Sequence, residues 1–176
     1  MKGFSVHLAR PWCHFTTAGP RALCTFAWRL RGVSDSDASE CTAVVLRGRK
    51  MRAVQGVFDE FAAALQYPYY FGENWAAFDE CLGDLEWLGD RPAVVIIENA
   101  TQVLADAPGD RNVFWDIVVG AASARMTIRE RVLHLGPATL HMVLGGVTQV
   151  SDEMPFPVPR DASEWITLDD NGEVVG

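Results

Sequence analysis

Residues 93–98 read Ala-Val-Val-Ile-Ile-Glu, an apolar run with no alternation. Successive side chains of a strand point to opposite faces, so a half-exposed strand alternates polar and apolar residues. An unbroken β-branched run instead requires cover on both faces, as in the centre of a parallel sheet flanked by helices. That feature restricts the chain to an α/β architecture and demands neighbouring strands and amphipathic helices from the remainder.

Candidates for both are present. A strand is predicted at 41–47, rich in β-branched residues (Thr42, Val44, Val45), and another within 138–144, before the Gly145-Gly146 turn. Met51, Val54, Val57, Phe58, Phe61 and Leu65 fall at helical spacing over 51–66, with Asp59 and Glu60 on the outer side. Pro68 breaks that helix. Asn74 is then placed to cap a short helix from Trp75 to about Leu85, burying Trp75, Phe78, Cys81, Leu82 and Leu85. A further helix is predicted over 112–124.

Before this block, residues 24–31 alternate: Cys24, Phe26, Trp28 and Leu30 against Thr25, Ala27, Arg29 and Arg31. They predict an extra N-terminal strand, followed by a polar loop from Gly32 to Glu40. After the block, Pro155, Pro157 and Pro159 mark a stiff connector. Glu164–Leu168 and Glu173–Val175 then flank Asp169-Asp170-Asn171-Gly172, whose Asn-Gly step predicts a β-hairpin. The expected organisation is an N-terminal extension over 1–40, a central domain over 41–147 and a C-terminal connector and hairpin over 148–176.

Charge bears on partners. Lys+Arg number 15 against Asp+Glu 23, a formal net charge of −8. Nucleic acid is repelled on average and a basic protein attracted. The one basic cluster, Arg47-Gly48-Arg49-Lys50-Met51-Arg52, reads as a strand-to-helix connection with solvated charges rather than a nucleic-acid site. No apolar run approaches membrane-spanning length and the first ten residues lack a signal-peptide core, so a cytoplasmic, soluble chain is expected, with no membrane partner. Four cysteines in a reducing compartment do not imply a disulfide framework. His7, Cys13 and His14 lack a fourth ligand at metal-binding spacing. Cys81, with His134 or His141, could form a nucleophile–base pair, but a small core residue at helical spacing is the simpler reading. Glu73 and Glu80 give no sign of a pocket between them. Neither catalytic residues, nor a cofactor, nor a metal site is expected.

The most informative stretch is 67–88, which contains Tyr67-Pro68-Tyr69-Tyr70-Phe71-Gly72-Glu73-Asn74-Trp75 and then Asp79-Glu80-Cys81-Leu82. Between Glu73 and Asp90 lie six acidic residues (Glu73, Asp79, Glu80, Asp84, Glu86, Asp90) and no Lys or Arg. In Pro68, Tyr70, Phe71, Gly72, Glu73, Asn74, Ala77, Cys81 and Leu82, and in the order of surrounding elements over roughly 44–145, the sequence resembles the barstar family. The resemblance implies a small three-stranded parallel sheet packed with helices, no cofactor, and no reaction. It implies that the short helix and the loop before it plug the active site of a basic ribonuclease.

On that reading the partner-binding residues are Tyr69, Tyr70, Phe71, Gly72, Glu73, Asn74, Ala76, Asp79, Glu80, Gly83 and Asp84. The chain departs from the family within this set. The two aspartates dominating the family's inhibitory helix fall at Ala76 and Glu80, an aromatic falls at Asp79, and a further acid on the next helix falls at Gly120. The expected function is stoichiometric inhibition of a basic ribonuclease or related toxin, in the manner of an immunity protein or antitoxin, by a monomer or weak homo-oligomer. The alternative is a barstar-fold adaptor that regulates a non-nuclease partner through its N- and C-terminal extensions.

Overall fold

A computed structural model describes residues 13–32, 41–89, 91–128, 140–148 and 165–175. Four strands, β1 (Cys13–Thr16), β2 (Thr42–Arg47), β3 (Ala93–Glu98) and β4 (Leu140–Gly145), form one all-parallel sheet in the order β1-β4-β3-β2. Four α-helices accompany it: α1 (Pro20–Gly32), α2 (Val54–Leu65), α3 (Trp75–Asp84) and α4 (Arg111–Ile128). Short 3-10 turns fill several connections. The 93–98 run is the interior strand β3, paired with β2 on one side and β4 on the other.

Its side chains serve two cores. Val94 and Ile96 pack with Leu23, Phe26, Ala27 and Leu30 of α1, and with Ala43 and Val143. Ala93, Val95 and Ile97 face the larger core built from α2, α3 and α4. The sheet is therefore a middle layer with one helix on one face and three on the other, which is why β3 cannot alternate.

Three expectations need correction. Residues 24–31 are not a strand but the body of α1. Leu23, Phe26, Ala27 and Leu30 are buried at helical spacing, whereas Cys24 and Trp28, expected on the buried strand face, are exposed. The segment fits both periods, and the uncovered sheet face selects the one that offers a continuous apolar stripe. The added strand does exist, but it is β1, pairing in register with β4 from Cys13↔Met142 to Thr16↔Gly145. The sheet thus has four strands where the family resemblance implied three. The helix expected over 51–66 begins later, at Val54, because Met51 closes a 3-10 turn and sinks into the core.

At the C-terminus the described residues give less than the hairpin expected. Leu168 and Val174 form a single antiparallel bridge, closed by Asp169 N–H donating to Glu173 O at 3.0 Å. Trp165 bridges Phe15 in parallel, extending the sheet beyond β1. Glu164, and the connector carrying Pro155, Pro157 and Pro159, lie outside the described residues. The Asn171-Gly172 turn rests on α1: a Cβ at Gly172 would strike Phe26 N and approach Ala22 O to 2.9 Å, with φ at +67°. Gly172→Ala should therefore lower the unfolding free energy by about 1–3 kcal/mol, from overpacking and left-handed strain together. Urea denaturation checks this, and an unchanged midpoint would show that the turn does not bear on α1.

Candidate functional site

The surface around α3 is held from beneath by aromatic side chains. α2 ends at Leu65 with Gln66 in the left-handed conformation (φ 54°), and Phe71 N–H donates to Pro68 O at 2.9 Å, closing the turn that follows. Phe58 meets Phe71 and Trp75 edge-on, at ring separations of 5.8 and 5.0 Å. Phe78 packs edge-on against Phe61 at 5.0 Å and lies 6.0 Å from Phe114 of α4. Two indoles are also tethered: Trp75 Nε1 donates to Asp110 Oδ1 at 3.0 Å, and Trp87 Nε1 donates to Leu65 O at 2.7 Å. Such edge-to-face packing with satisfied N–H groups fixes orientation as well as burying area.

The start of α3 follows from its sequence. Asn74 is the N-cap, its side-chain oxygen accepting from Ala77 N–H at 3.0 Å, while its amide donates to Gly72 O at 3.0 Å. Glu73 adopts φ +47°, strained for a residue with a Cβ. Gln55 holds it there, donating to Glu73 Oε2 at 2.8 Å and to Asp59 Oδ1 at 3.0 Å. Gln55 and Asp110 are supports that spacing alone does not reveal, since each comes from a distant part of the chain.

Of the expected partner-binding residues, Tyr69, Tyr70, Gly72, Glu73, Asn74, Ala76, Asp79, Glu80 and Asp84 are exposed, and Gly83 is half-buried with nothing near its missing Cβ. Phe71 differs: it is half-buried against Phe58 and Tyr67 and acts as an anchor for the loop. Tyr69 is fully exposed and Tyr70 is 66% exposed, their rings edge-on at 5.6 Å. Neither Asp79, Glu80 nor Glu86 takes part in an ion pair among the described residues. α3 also has no acidic residue in its first turn and no basic residue in its last, so its charges run against the helix dipole.

The basic cluster is neutralised elsewhere. Arg47 binds Glu60, Arg49 lies 3.9 Å from Glu98, and Arg52 reaches Asp106 at 2.6 Å. Burial alone would raise the Glu60 carboxyl, but the Arg47 hydrogen bonds bring it below its ordinary value. Among the described residues, the loop after α2 thus exposes Tyr69 and Tyr70, and α3 exposes the carboxylates of Asp79, Glu80 and Asp84.

The family model described as Barstar (barnase inhibitor) matches residues 41–135, just over half of the chain. The chain belongs to the barstar family. A search of curated proteins finds no match. The barstar segment contains β2, α2, α3, β3 and α4, and hence the whole acidic face; β1, α1 and β4 lie outside it. Barstar-family membership makes a ribonuclease-type protein the class of partner implied and does not suggest an enzyme. Gly120, where the resemblance implies a further acid, is exposed on α4 beside α3, and Asp116 stands exposed one turn before it. Sequence reasoning passed over Asp116 because it followed the family's register rather than the helix face.

The remaining chemical candidates separate in space. Cys81 is buried in α3, and burial first, then Glu80 and Asp84, push its thiol up. His141 shares the α1 side of the sheet with Val143, so the sheet stands between it and Cys81. It lies instead beside His14 of β1, its Nδ1 3.4 Å from the His14 Nε2. His134 and His7 lie outside the described residues, among which no three His, Cys, Asp or Glu side chains converge on a metal site. Cys41 is pushed up to about 12, mainly by burial, with Arg31 opposing. Thiolate is the reactive form, so alkylation at mildly alkaline pH should modify exposed Cys24 well before Cys41 or Cys81. Peptide mass spectrometry after timed quenching reads the order, and early labelling of Cys81 would mean α3 is not seated as described.

Proposed function

We propose that this barstar-family chain is a stoichiometric inhibitor, of the immunity-protein or antitoxin kind, that blocks a basic ribonuclease or related toxin. The contact is the loop 69–74 together with the α3 face of Ala76, Asp79, Glu80, Gly83 and Asp84. The observation that carries this reading is the conjunction of exposed Tyr69 and Tyr70 with exposed carboxylates on one short helix inside the family-matched segment.

The physical logic follows from what a ribonuclease site contains. Such sites present cationic side chains that hold phosphate, and carboxylates can take the phosphate positions while their field speeds encounter. The tyrosines supply rigid amphipathic area at little cost in side-chain entropy, as interface anchors commonly do. Ala76 in place of an acid, and Glu80 with a longer reach, point to a toxin whose surface differs from that of the family's founding target. Small Ala76 and Gly83 let a partner's backbone approach Glu80 closely. The four cysteines, all free thiols, suit a cytoplasmic inhibitor held ready against a toxin.

The test uses the tagged protein as bait in lysate and secreted fraction of its own cells, followed by a nuclease assay on bound proteins. A basic nuclease silenced at a one-to-one ratio is expected. A captured nuclease that keeps full activity with the chain in excess would sink the reading.

A further inference from the structure

The outer face of α1 is built unlike the rest of this acidic molecule. α1 carries no acidic residue and four basic or aromatic side chains on its outer side: Arg21, Trp28, Arg29 and Arg31, all exposed. Trp28 is 68% exposed. Arg29 is engaged within the chain, with Glu173 at 3.0 Å and Asn171 O at 2.7 Å. Arg31 uses its Nε to cap Ala43 O at 2.6 Å. Arg21 and Trp28 are then seven residues apart on one stripe, with exposed Cys24 and half-buried Thr25 between them.

We propose that this stripe is the interface of a two-fold dimer of the chain, formed by antiparallel packing of α1 on α1. The stripe is complementary to itself. A two-fold axis passing between residues 24 and 25 exchanges position 21 with position 28. It sets each Arg21 guanidinium against the Trp28 ring of the other copy, a cation–π contact made twice. At the crossing Cys24 is small and exposed, while Thr25 is half-buried against the chain's own Gly172 turn, so the close helix approach is made over Cys24. Asp170 lies exposed on the turn that Gly172 seats against α1, whereas Glu173 of that turn is already paired with Arg29. A single-helix contact of this size gives a weak, concentration-dependent dimer.

The sheet separates α1 from α3, so the dimer leaves the acidic face open on each copy. The proposal does not rest on the inhibitor reading and fails or stands independently of it.

The geometry places two Cys24 thiols beside the axis, which makes the interface trappable. Diamide converts two thiols to one disulfide, taking up the two electrons and two protons released. On the full chain, sedimentation velocity should show a dimer fraction that grows with concentration. Brief diamide treatment should yield a covalent dimer linked Cys24 to Cys24 by peptide mapping and absent in Cys24→Ser. Trp28→Ala should cut the trapped yield several-fold and weaken the dimer seen by sedimentation, with an unchanged circular dichroism spectrum. A chain that stays monomeric at every concentration and forms no Cys24 disulfide would overturn the proposal. A dimer that survives Trp28→Ala undiminished would overturn it equally, by placing the contact on another face.

Discussion

Phe78→Ala should lower the unfolding free energy by about 3–5 kcal/mol, the range for deleting a fully buried aromatic side chain from a core that cannot collapse around it. Phe78 has no exposed surface and sits among Phe58, Phe61, Tyr67, Trp75 and Phe114. Those rings come from α2, the loop after it, α3 itself and α4, so none can move into the space without dragging its element. The residue lies at the base of the candidate surface, and its loss should also loosen α3. Chemical denaturation reads the stability, and hydrogen exchange at α3 amides reads the loosening. A loss below about 1 kcal/mol would mean that the aromatic cluster is not packed as described.

The second large effect concerns binding. Asp79→Lys combined with Glu80→Arg should weaken binding to the nuclease found as partner by about 2–5 kcal/mol, roughly 30-fold to several-thousand-fold. That range was partly defined by the founding barnase–barstar pair and is borrowed from it. Both side chains are exposed and make no ion pair among the described residues, so folding stability should stay within about 0.5 kcal/mol of the parent. Calorimetric titration and thermal melts on the same variant separate the two quantities. Binding unchanged by charge reversal would remove α3 from the interface, whatever the partner proves to be.

Both effects bear on how much could be read before the fold was known. The central strand, the strand at 42–47, the three helices on its one side and the Asn74 cap were legible because each has a local cause: a β-branched run, helical spacing, or a capping side chain. The loop-and-helix segment from Tyr67 to Leu82 was legible for another reason. An aromatic pair, Gly72-Glu73-Asn74 and the later Cys81-Leu82 coincide there in the spacing of the barstar family. Phe71 was harder, since an aromatic residue on a loop looks the same in sequence whether it is offered to a partner or tucked under it. Phe58 and Tyr67 decide that, and they are brought to it by tertiary packing.

The N-terminal region shows the limit most plainly. Residues 24–31 satisfy a period of two and a period near 3.6 together, and local propensity does not separate the two readings. Ala43, Val94, Ile96 and Val143 leave an apolar sheet face that only a continuous stripe can cover, and Leu23, Phe26, Ala27 and Leu30 supply it as a helix. The strand was instead Cys13–Thr16, too short to announce itself and stabilised by pairing with β4.

What the sequence by itself determined is the set of elements whose side-chain pattern permits one period only, and the acidic, aromatic character of the 67–88 segment. What the tertiary structure alone decided is which face of the sheet each element covers and which aromatic side chains are anchors. It also decided that the basic cluster of 47–52 is largely taken up by Glu60, Glu98 and Asp106. The physical reason is common to all three. Burial and charge pairing depend on residues far apart along the chain, and their energies exceed the small local preferences that a single segment can express.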